Sequence, residues 1–321
     1  MKVLVTGGTG FLGAEVVRQL LAKGNPEIDV FDINPSKKLL DEAASRVTVT
    51  RGDLGNFSHV LSIVKKSAPD VIYHLGGMLS SPSDEDPQAA FRVNAMGTYH
   101  VLEATRLYDV PKVLFSSTIG TYGRDIREDV IDDYTVQRPL LFYGCTKVFS
   151  ELLGLFYKRK YSIDFRGIRY PSLIGPGVKT PAIAQYNAWV IEECFKGRPY
   201  TIYVRPDFRM PIMYVKDAAR AIIDLAEASA DKIKMGNYLV CSQKPDSSAE
   251  ELAEIVRRKI PGALVDFKVN QDLQRVVDTI VRPLDDRIAR EEWGWAPEYD
   301  SLEKMVDDFI LELKKNPHRY T

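Results

Sequence analysis

The sequence predicts a doubly wound α/β fold, a parallel sheet wrapped by helices, with a smaller lobe toward the C-terminus. Three observations carry that expectation. Short β-rich runs alternate with amphipathic helical stretches through the first half of the chain. The runs are apolar at consecutive positions, as strands buried on both faces of a parallel sheet are. A cluster of glycines falls where the first run ends and the first helical stretch begins.

KVLVT (2–6) opens the sheet, and a helical pattern follows from Phe11 to Lys23, stopped by Gly24. IDVF (28–31), VTVT (47–50), VIYH (71–74), KVLFS (112–116) and FRGIR (165–169) supply the next strands. Past Ser172 the rhythm changes. LIGPGVKTP reads as a loop, and Gly197, Pro199, Pro206 and Pro211 keep interrupting the pattern. A helix resumes at Asp217 (DAARAIIDLAEA), and NYLVC (237–241) reads as another strand. Residues 1–172 and 214–243 are therefore assigned to the sheet domain, and 173–213 and 244–321 to the smaller lobe. No internal repeat, low-complexity tract or flexible linker interrupts them.

Composition narrows the function. Charged residues make up 27% of the 321 residues and the net charge is −1, so nothing here resembles an electrostatic footprint for nucleic acid or an acidic membrane. MKVLVTGG reaches Gly7 and Gly8 too soon for a signal-peptide core, and no apolar run approaches the ~18 residues of a membrane span. The three cysteines (Cys145, Cys194, Cys241) are scattered, against a disulfide framework and in keeping with a reducing cytoplasm. The four histidines (His59, His74, His100, His318) lie far apart, against a metal site.

TGGTGFLG (6–13) satisfies GxGxxG through Gly8, Gly10 and Gly13, and GxxGxxG through Gly7, Gly10 and Gly13. Such glycines let the backbone turn tightly and approach a pyrophosphate, which then sits at the positive end of the helix. The second strand ends in FD, placing Asp32 nineteen residues beyond Gly13. A carboxylate there accepts hydrogen bonds from ribose hydroxyls and repels a 2′-phosphate, which favours NAD over NADP. The bland alternatives are a glycine turn that only connects strand to helix and an aspartate that only caps a turn.

FSSTIGTYG (115–123) follows the fifth strand as a loop at the carboxyl end of the sheet, where open α/β sheets bind ligands. Twenty-five residues beyond Thr118 lies YGCTK (143–147), with Tyr143 and Lys147 on one helix face. Free tyrosine has a pKa near ~10, too high for a base at neutral pH. A nearby ammonium favours the phenolate, so Lys147 makes Tyr143 a candidate base and Thr118 a candidate clamp on the reacting oxygen.

The glycine turn, the strand-end Thr118 and the Tyr-x-x-x-Lys pair together resemble the extended branch of the short-chain dehydrogenase/reductase superfamily, over nearly the whole chain. The resemblance implies a Rossmann-type sheet, NAD as cofactor and Thr118, Tyr143 and Lys147 as catalytic residues. Cofactor contacts are implied at Gly7, Gly10, Phe11, Leu12 and Gly13, at Asp32 and Ile33, and at Asp53 and Leu54 of GDL. Further contacts are implied at Leu75, Gly76 and Gly77 of HLGG, Asn94 of NAMGT, Ser116, Tyr143, Lys147, and Tyr170 of RYP.

Within the superfamily three readings compete. A nucleotide-sugar epimerase or dehydratase is the first. Dehydratases of this branch place acids directly after the catalytic threonine, where this chain has Ile119 and Gly120. Epimerases usually carry Phe-Asn after RY, where it has Pro171 and Ser172. The second is the short-chain type of L-threonine 3-dehydrogenase. HLGGMLSS (74–81), SSTIGTYG (116–123), QRPLLFYGCTK (137–147), DFRGIRYP (164–171), RPDFRMPIMYVKD (205–217) and EEWGW (291–295) all resemble that family, in order. It implies NAD⁺-dependent oxidation of a β-hydroxyl, a homodimer, and a small-molecule substrate held by Ser80 and Ser117, with Arg127 in GRDIRED for the carboxylate. The third reading is a non-catalytic dinucleotide-binding regulator, a class that tends to lose the Tyr/Lys pair.

One segment departs from the threonine dehydrogenase pattern. Where that family has Gly-Thr-Thr-Asp-Tyr, this chain reads GVKTPAIAQYNAW (177–189), so Gln185 stands near the aspartate position and Thr180 is the candidate replacement for the threonine. Trp293 and Trp295 are expected to anchor the C-terminal segment, Cys145 to pack, and KKLLDEAASR (37–46) to form a solvated loop and helix. Val148, Leu152, Leu155 and Phe156 have helical spacing and are expected in the core.

Overall fold

The computed structural model describes residues 1–179 and 184–320. Seven parallel strands form the main sheet: β1 (Lys2–Thr6), β2 (Glu27–Asp32), β3 (Val47–Arg51), β4 (Val71–His74), β5 (Lys112–Thr118), β6 (Asp164–Tyr170) and, after three short strands, β10 (Asn237–Leu239). The three are β7 (Ser172–Ile174), β8 (Tyr200–Ile202) and β9 (Ile212–Tyr214). The sheet order is β10-β6-β5-β4-β1-β2-β3, so the chain builds outward from β1 in both directions. The order reverses between β1 and β4, and a crevice opens there at the carboxyl ends of the strands. The expected α/β fold is the one observed.

Helices α1 (Phe11–Lys23), α2 (Phe57–Ser67), α3 (Ser80–Glu85), α4 (Pro87–Ala90), α5 (Gly97–Leu107) and α6 (Phe142–Tyr161) fall between the strands of the first half. Later come α7 (Tyr186–Phe195), α8 (Val215–Glu227) and α9 (Ala249–Lys259), then β11 (Val265–Phe267). The chain closes with α10 (Gln271–Ile280), α11 (Arg287–Trp293), α12 (Leu302–Lys315) and α13 (Pro317–Tyr320). One sheet face packs α1 and α8 through Val16, Val17, Leu20, Ile222 and Ile223. The other packs α2, α5 and α6 through Val60, Val64, Val101, Leu102 and Tyr157. Apolar runs at consecutive strand positions thus bury both ways. The third cluster lies in the C-terminal region, where Val190, Leu252, Val256, Met305 and Phe309 pack around the parallel β8–β11 pair.

α6 approaches β6 closely because Gly154 lacks a side chain; a Cβ there would meet the Phe165 ring at 2.2 Å. That approach sets the height of Tyr143 and Lys147 above the sheet. The segment after α11 returns to the main core: Trp295 is buried, its indole N–H donates to the Cys241 carbonyl (3.2 Å), and Arg220 stacks on its ring. Trp293 and Trp295 therefore anchor the segment, as expected. Residues 37–46 form a turn and a short 3₁₀ helix (Asp41–Ser45), with Leu40 and Ala43 buried beneath.

Three expectations are corrected. β5 runs on to Thr118, so SST is strand rather than loop. Cys145 is exposed, not packed. It sits two residues from Tyr143, about 200° around the helix, and that side of α6 faces solvent. Leu152, Leu155 and Phe156 are exposed as well, and Val148 is only partly buried, so this face of α6 is not core. No helix among the described residues is long and apolar enough to cross a membrane.

Candidate active site

The glycine turn is shaped by contacts that leave no room for side chains. Gly7 has φ +70°, accessible to glycine at little cost, and a Cβ on it would lie 2.6 Å from the Gly76 Cα. A Cβ on Gly13 would lie 2.1 Å from the Gly7 carbonyl oxygen. α1 then starts at Gly10 with no side-chain cap and no acid in its first turn, which leaves its N–H groups and positive end facing the crevice. These features fit a pyrophosphate.

Above the turn lies a cavity of about 640 Å³, walled by the carboxyl ends of β1, β2, β4, β5 and β6 and by Val178, Lys179, Ala184 and Gln185 of the C-terminal region. Every residue expected to hold the cofactor lines it except Asn94. Asp32 closes one end. Its carboxylate accepts the Thr9 N–H (3.2 Å) and the Asn34 N–H (3.0 Å), which leaves acceptor positions for hydroxyls of a ribose. Ile33 is 61% exposed on the rim. Asp53 and Leu54 stand on the same wall. Burial raises the Asp53 pKa, but hydrogen bonds from Arg92 (2.5 Å) and the Gly55 N–H (2.8 Å) outweigh it and hold the carboxyl below its usual range.

Asn94 acts one layer back. It lies in a single π-helical turn, Phe91–Met96, and its side chain grips the 76–78 loop through the Met78 N–H (2.7 Å) and carbonyl (3.1 Å). Its amide also donates to Thr146 Oγ1 (3.2 Å). Asn94 thereby ties the phosphate-side loop to α6 without touching the cavity. Irregular helical turns of this kind often mark functional sites.

At the other end Thr118, Tyr143 and Lys147 converge. Thr118 Oγ1 accepts the Gly120 N–H (3.0 Å), and its side chain hydrogen-bonds to the Tyr143 hydroxyl. Tyr143 keeps some exposure along the wall, yet burial of its hydroxyl pushes the pKa above the ordinary phenol value, against the pull of Thr118. Lys147 is buried; its Nζ donates to the Ser116 carbonyl (2.7 Å) and sits 4.7 Å from the Phe115 ring centroid and 5.7 Å from that of Tyr143. Burial pushes Lys147 down to about 8, opposed by the charge of Glu151. His74, beneath on β4, hydrogen-bonds Thr6 and Thr98; burial, with Lys147 adding to it, drives it to about 3 and keeps it neutral.

The substrate expectations fare unevenly. Ser80, the first residue of α3, and Gln185, just before α7, both line the cavity. Ser117 lines the cavity too, but its hydroxyl is engaged elsewhere. Successive strand residues point to opposite faces, so Ser117 turns away from Thr118 and donates to the buried Glu151. Arg127 is exposed on the loop after β5 and does not line the cavity; the cation that does, beside Arg92 and Lys147, is Lys179. Thr180 lies outside the described residues. Tyr170 lines the cavity with its ring and backbone, because its hydroxyl is spent on the Ala218 carbonyl (2.8 Å). The sequence reading passed over Lys179, Met78, Leu79 and the Glu151–Arg169 pair. Glu151 stands four residues beyond Lys147, a helical spacing that could have drawn attention to it.

A glycine-turn Rossmann-type sheet with a Thr/Tyr/Lys constellation at its carboxyl edge defines a dinucleotide-dependent oxidoreductase or epimerase. Residues 3–241 match the NAD dependent epimerase/dehydratase family, and the chain belongs to it. It is 29% identical over 312 residues to the mitochondrial L-threonine 3-dehydrogenase of Bos taurus, covering 95% of this chain and 81% of that one. It superposes on the holo form of a GalE-like L-threonine dehydrogenase from Cupriavidus necator with TM-score 0.89 and 26% identity, over 98% and 100% of the two chains. A UDP-glucose 4-epimerase from Thermus thermophilus, in complex with NAD, follows at TM-score 0.82 and 27% identity, over 96% and 99%. The family is NAD-dependent.

If Asp32 sets the cofactor preference, Asp32→Ala lowers the ratio of kcat/KM for NAD⁺ over NADP⁺ by roughly tenfold or more, since both ribose hydrogen bonds and the repulsion are lost. An unchanged ratio removes Asp32 from that role.

Proposed function

We propose that this protein oxidises the β-hydroxyl of L-threonine, or of a close small β-hydroxy acid, to the 3-keto product with NAD⁺. The observation that carries the reading is the convergence of Thr118, Tyr143 and Lys147 on a cavity that Ser80, Lys179 and Gln185 also line. Similarity to L-threonine dehydrogenases over almost the full chain supports it. The division of labour goes with the reading: 1–172 and 214–243 bind the cofactor, and 173–213 and 244–321 close over the substrate.

The glycine turn, Asp32 and the rest of that wall would hold NAD⁺, which would supply the hydride acceptor and a positive charge. The Thr118 hydroxyl, its oxygen already accepting from Gly120, donates to the substrate oxygen and fixes its orientation. Tyr143 takes the hydroxyl proton, and its phenolate is favoured by the Lys147 ammonium. Lys147 is held in place by the Ser116 carbonyl, so little reorganisation accompanies proton transfer. Lys179 supplies the charge for the substrate carboxylate, the part first expected of Arg127.

The exposed face of α6, with Phe149 (43%), Leu152 (58%), Leu155 (38%) and Phe156 (38%), continues the partly exposed Tyr99 and Leu107 of α5. An apolar patch on two adjacent helices fits a second copy of this chain. A second reading, a nucleotide-sugar 4-epimerase, draws on the likeness to the Thermus epimerase.

L-threonine with NAD⁺ should yield NADH, and Tyr143→Phe should lower kcat by at least 10²-fold, the usual weight of a general base. Epimerisation of UDP-galactose without amino-acid oxidation contradicts the reading. Lys179→Met is expected to raise KM for threonine about tenfold with kcat little changed, the mark of an interaction made equally in ground and transition states. A KM equal to the parent's would exclude Lys179 as the anchor. Light scattering should give twice the 36.2 kDa chain mass; a monomer at micromolar concentration rules out the dimer.

A further inference from the structure

The Glu151 carboxylate is buried under the site and touches none of the cavity, yet every one of its acceptor positions is used. Oε1 accepts from the Ser117 hydroxyl and from Arg169 Nε (3.1 Å). Oε2 accepts from Arg169 Nη2 (2.8 Å) and from Gln137 Nε2 (3.0 Å). Each partner belongs to a different piece of the catalytic wall. Ser117 lies between Ser116, whose carbonyl holds Lys147, and Thr118. Arg169 directly precedes Tyr170 on β6, and Gln137 lies in the segment leading into α6. Glu151 itself is one helical turn beyond Lys147, on the same side of α6.

Arg169 is in turn braced. Its guanidinium is buried, donates to the Tyr122 hydroxyl (2.9 Å) and the Asp133 carbonyl (3.3 Å), and lies 3.8 Å from Asp133 Oδ1. The groups around Lys147 can be set out element by element. On α6 they are Tyr143 and Glu151; on β4, neutral His74; on β5, the Ser116 carbonyl and the Phe115 ring. From the loop after β4 Gly77 comes close, and from β6 Arg169 stands behind Glu151. Among the described residues Glu151 is the anion whose charge acts on Lys147.

We propose that Glu151, braced by Arg169, is the positioning residue of this site: its buried charge keeps Lys147 an ammonium, and its hydrogen bonds lock β5, β6 and α6 in the register that presents Thr118, Tyr143 and Lys147 together. The proposal rests on Lys147 serving Tyr143, as in the function above, but it does not depend on which substrate is oxidised. The sign follows from electrostatics. Removing a negative charge next to a buried ammonium makes protonation harder and lowers the pH at which Lys147 titrates; removing the positive charge of Arg169 raises it.

The test is an NMR titration of the Lys147 Nζ in the ¹⁵N-lysine-labelled apo protein, read beside the pH profile of kcat/KM. Glu151→Gln, close to isosteric, is expected to move the Lys147 midpoint down by about one pH unit, with the alkaline fall of kcat/KM moving the same way. Glu151→Asp keeps the charge and should restore the parent midpoint, and Arg169→Gln should move it upward. A Lys147 midpoint in Glu151→Gln equal to the parent's overturns the proposal, as does movement of both variants in one direction. Should Arg169→Gln fail to fold, the Glu151→Gln and Glu151→Asp pair decides alone. Because the titration uses no substrate, its outcome stands apart from the threonine assay: a downward shift with no threonine oxidation leaves Glu151 in place and removes only the substrate.

Discussion

The structure depends on holding one buried ammonium in place. Lys147 donates to the Ser116 carbonyl at the end of β5, between the rings of Phe115 and Tyr143. A lysine so buried prefers to lose its proton, and burial does push it down to about 8. Against that loss stand the Ser116 carbonyl, the Phe115 and Tyr143 rings and the charge of Glu151 further along α6. These arrive from different parts of the fold. The β5–β6 pairing runs from Lys112 opposite Asp164 to Thr118 opposite Tyr170, and it sets Ser116 and Thr118 on one face and Ser117 on the other. The close passage of Gly154 over Phe165 lays α6 against that pairing. A one-residue slip of β5 would turn Thr118 into the sheet and Ser117 toward the cavity.

The cofactor end and the chemical end of the cavity are built by opposite strategies. At the glycine turn the chain packs on itself: a Cβ on Gly7 would strike Gly76, one on Gly13 would strike the Gly7 carbonyl, and one on Gly76 would strike Leu54, so the turn closes only without side chains. At the Thr/Tyr/Lys end, selection is for polar groups whose other partners are already fixed. Thr118 is oriented by Gly120 and Lys147 by Ser116, with Asn94 holding the loop between the two ends. Such a site needs little reorganisation when a proton moves.

What was legible in the sequence follows from local physics. Central strands such as β1 and β4 are buried on both faces and write themselves as apolar runs, and the glycine turn with Asp32 nineteen residues on is a local pattern, so these strands and the residues lining that end of the cavity could be read directly. The rest depended on relations that no short stretch encodes. Ser117 lines the cavity, but its hydroxyl turns to Glu151 because β5 runs two residues past Ser116, and that strand sets the facing of its side chains. Arg127 lies on a loop, which gives no register, and falls outside the cavity lining, while Lys179, also in a loop, falls within it. The apolar residues along α6 have core spacing but face outward, which periodicity alone cannot distinguish from burial. The Glu151–Arg169 pair joins a helix to a strand eighteen residues later and left no joint motif to find.

The central claim is that hydrogen leaves the β-carbon of a small hydroxy amino acid at the wall formed by Thr118, Tyr143 and Lys147. The most direct measurement follows the label: L-threonine deuterated at C3, and separately at C2, is incubated with NAD⁺ and the protein, and the reduced cofactor is examined by NMR. Deuterium on the nicotinamide ring from the C3-labelled substrate and none from the C2-labelled one is the result expected. No reduced cofactor from either substrate, or label arriving from C2, contradicts the account.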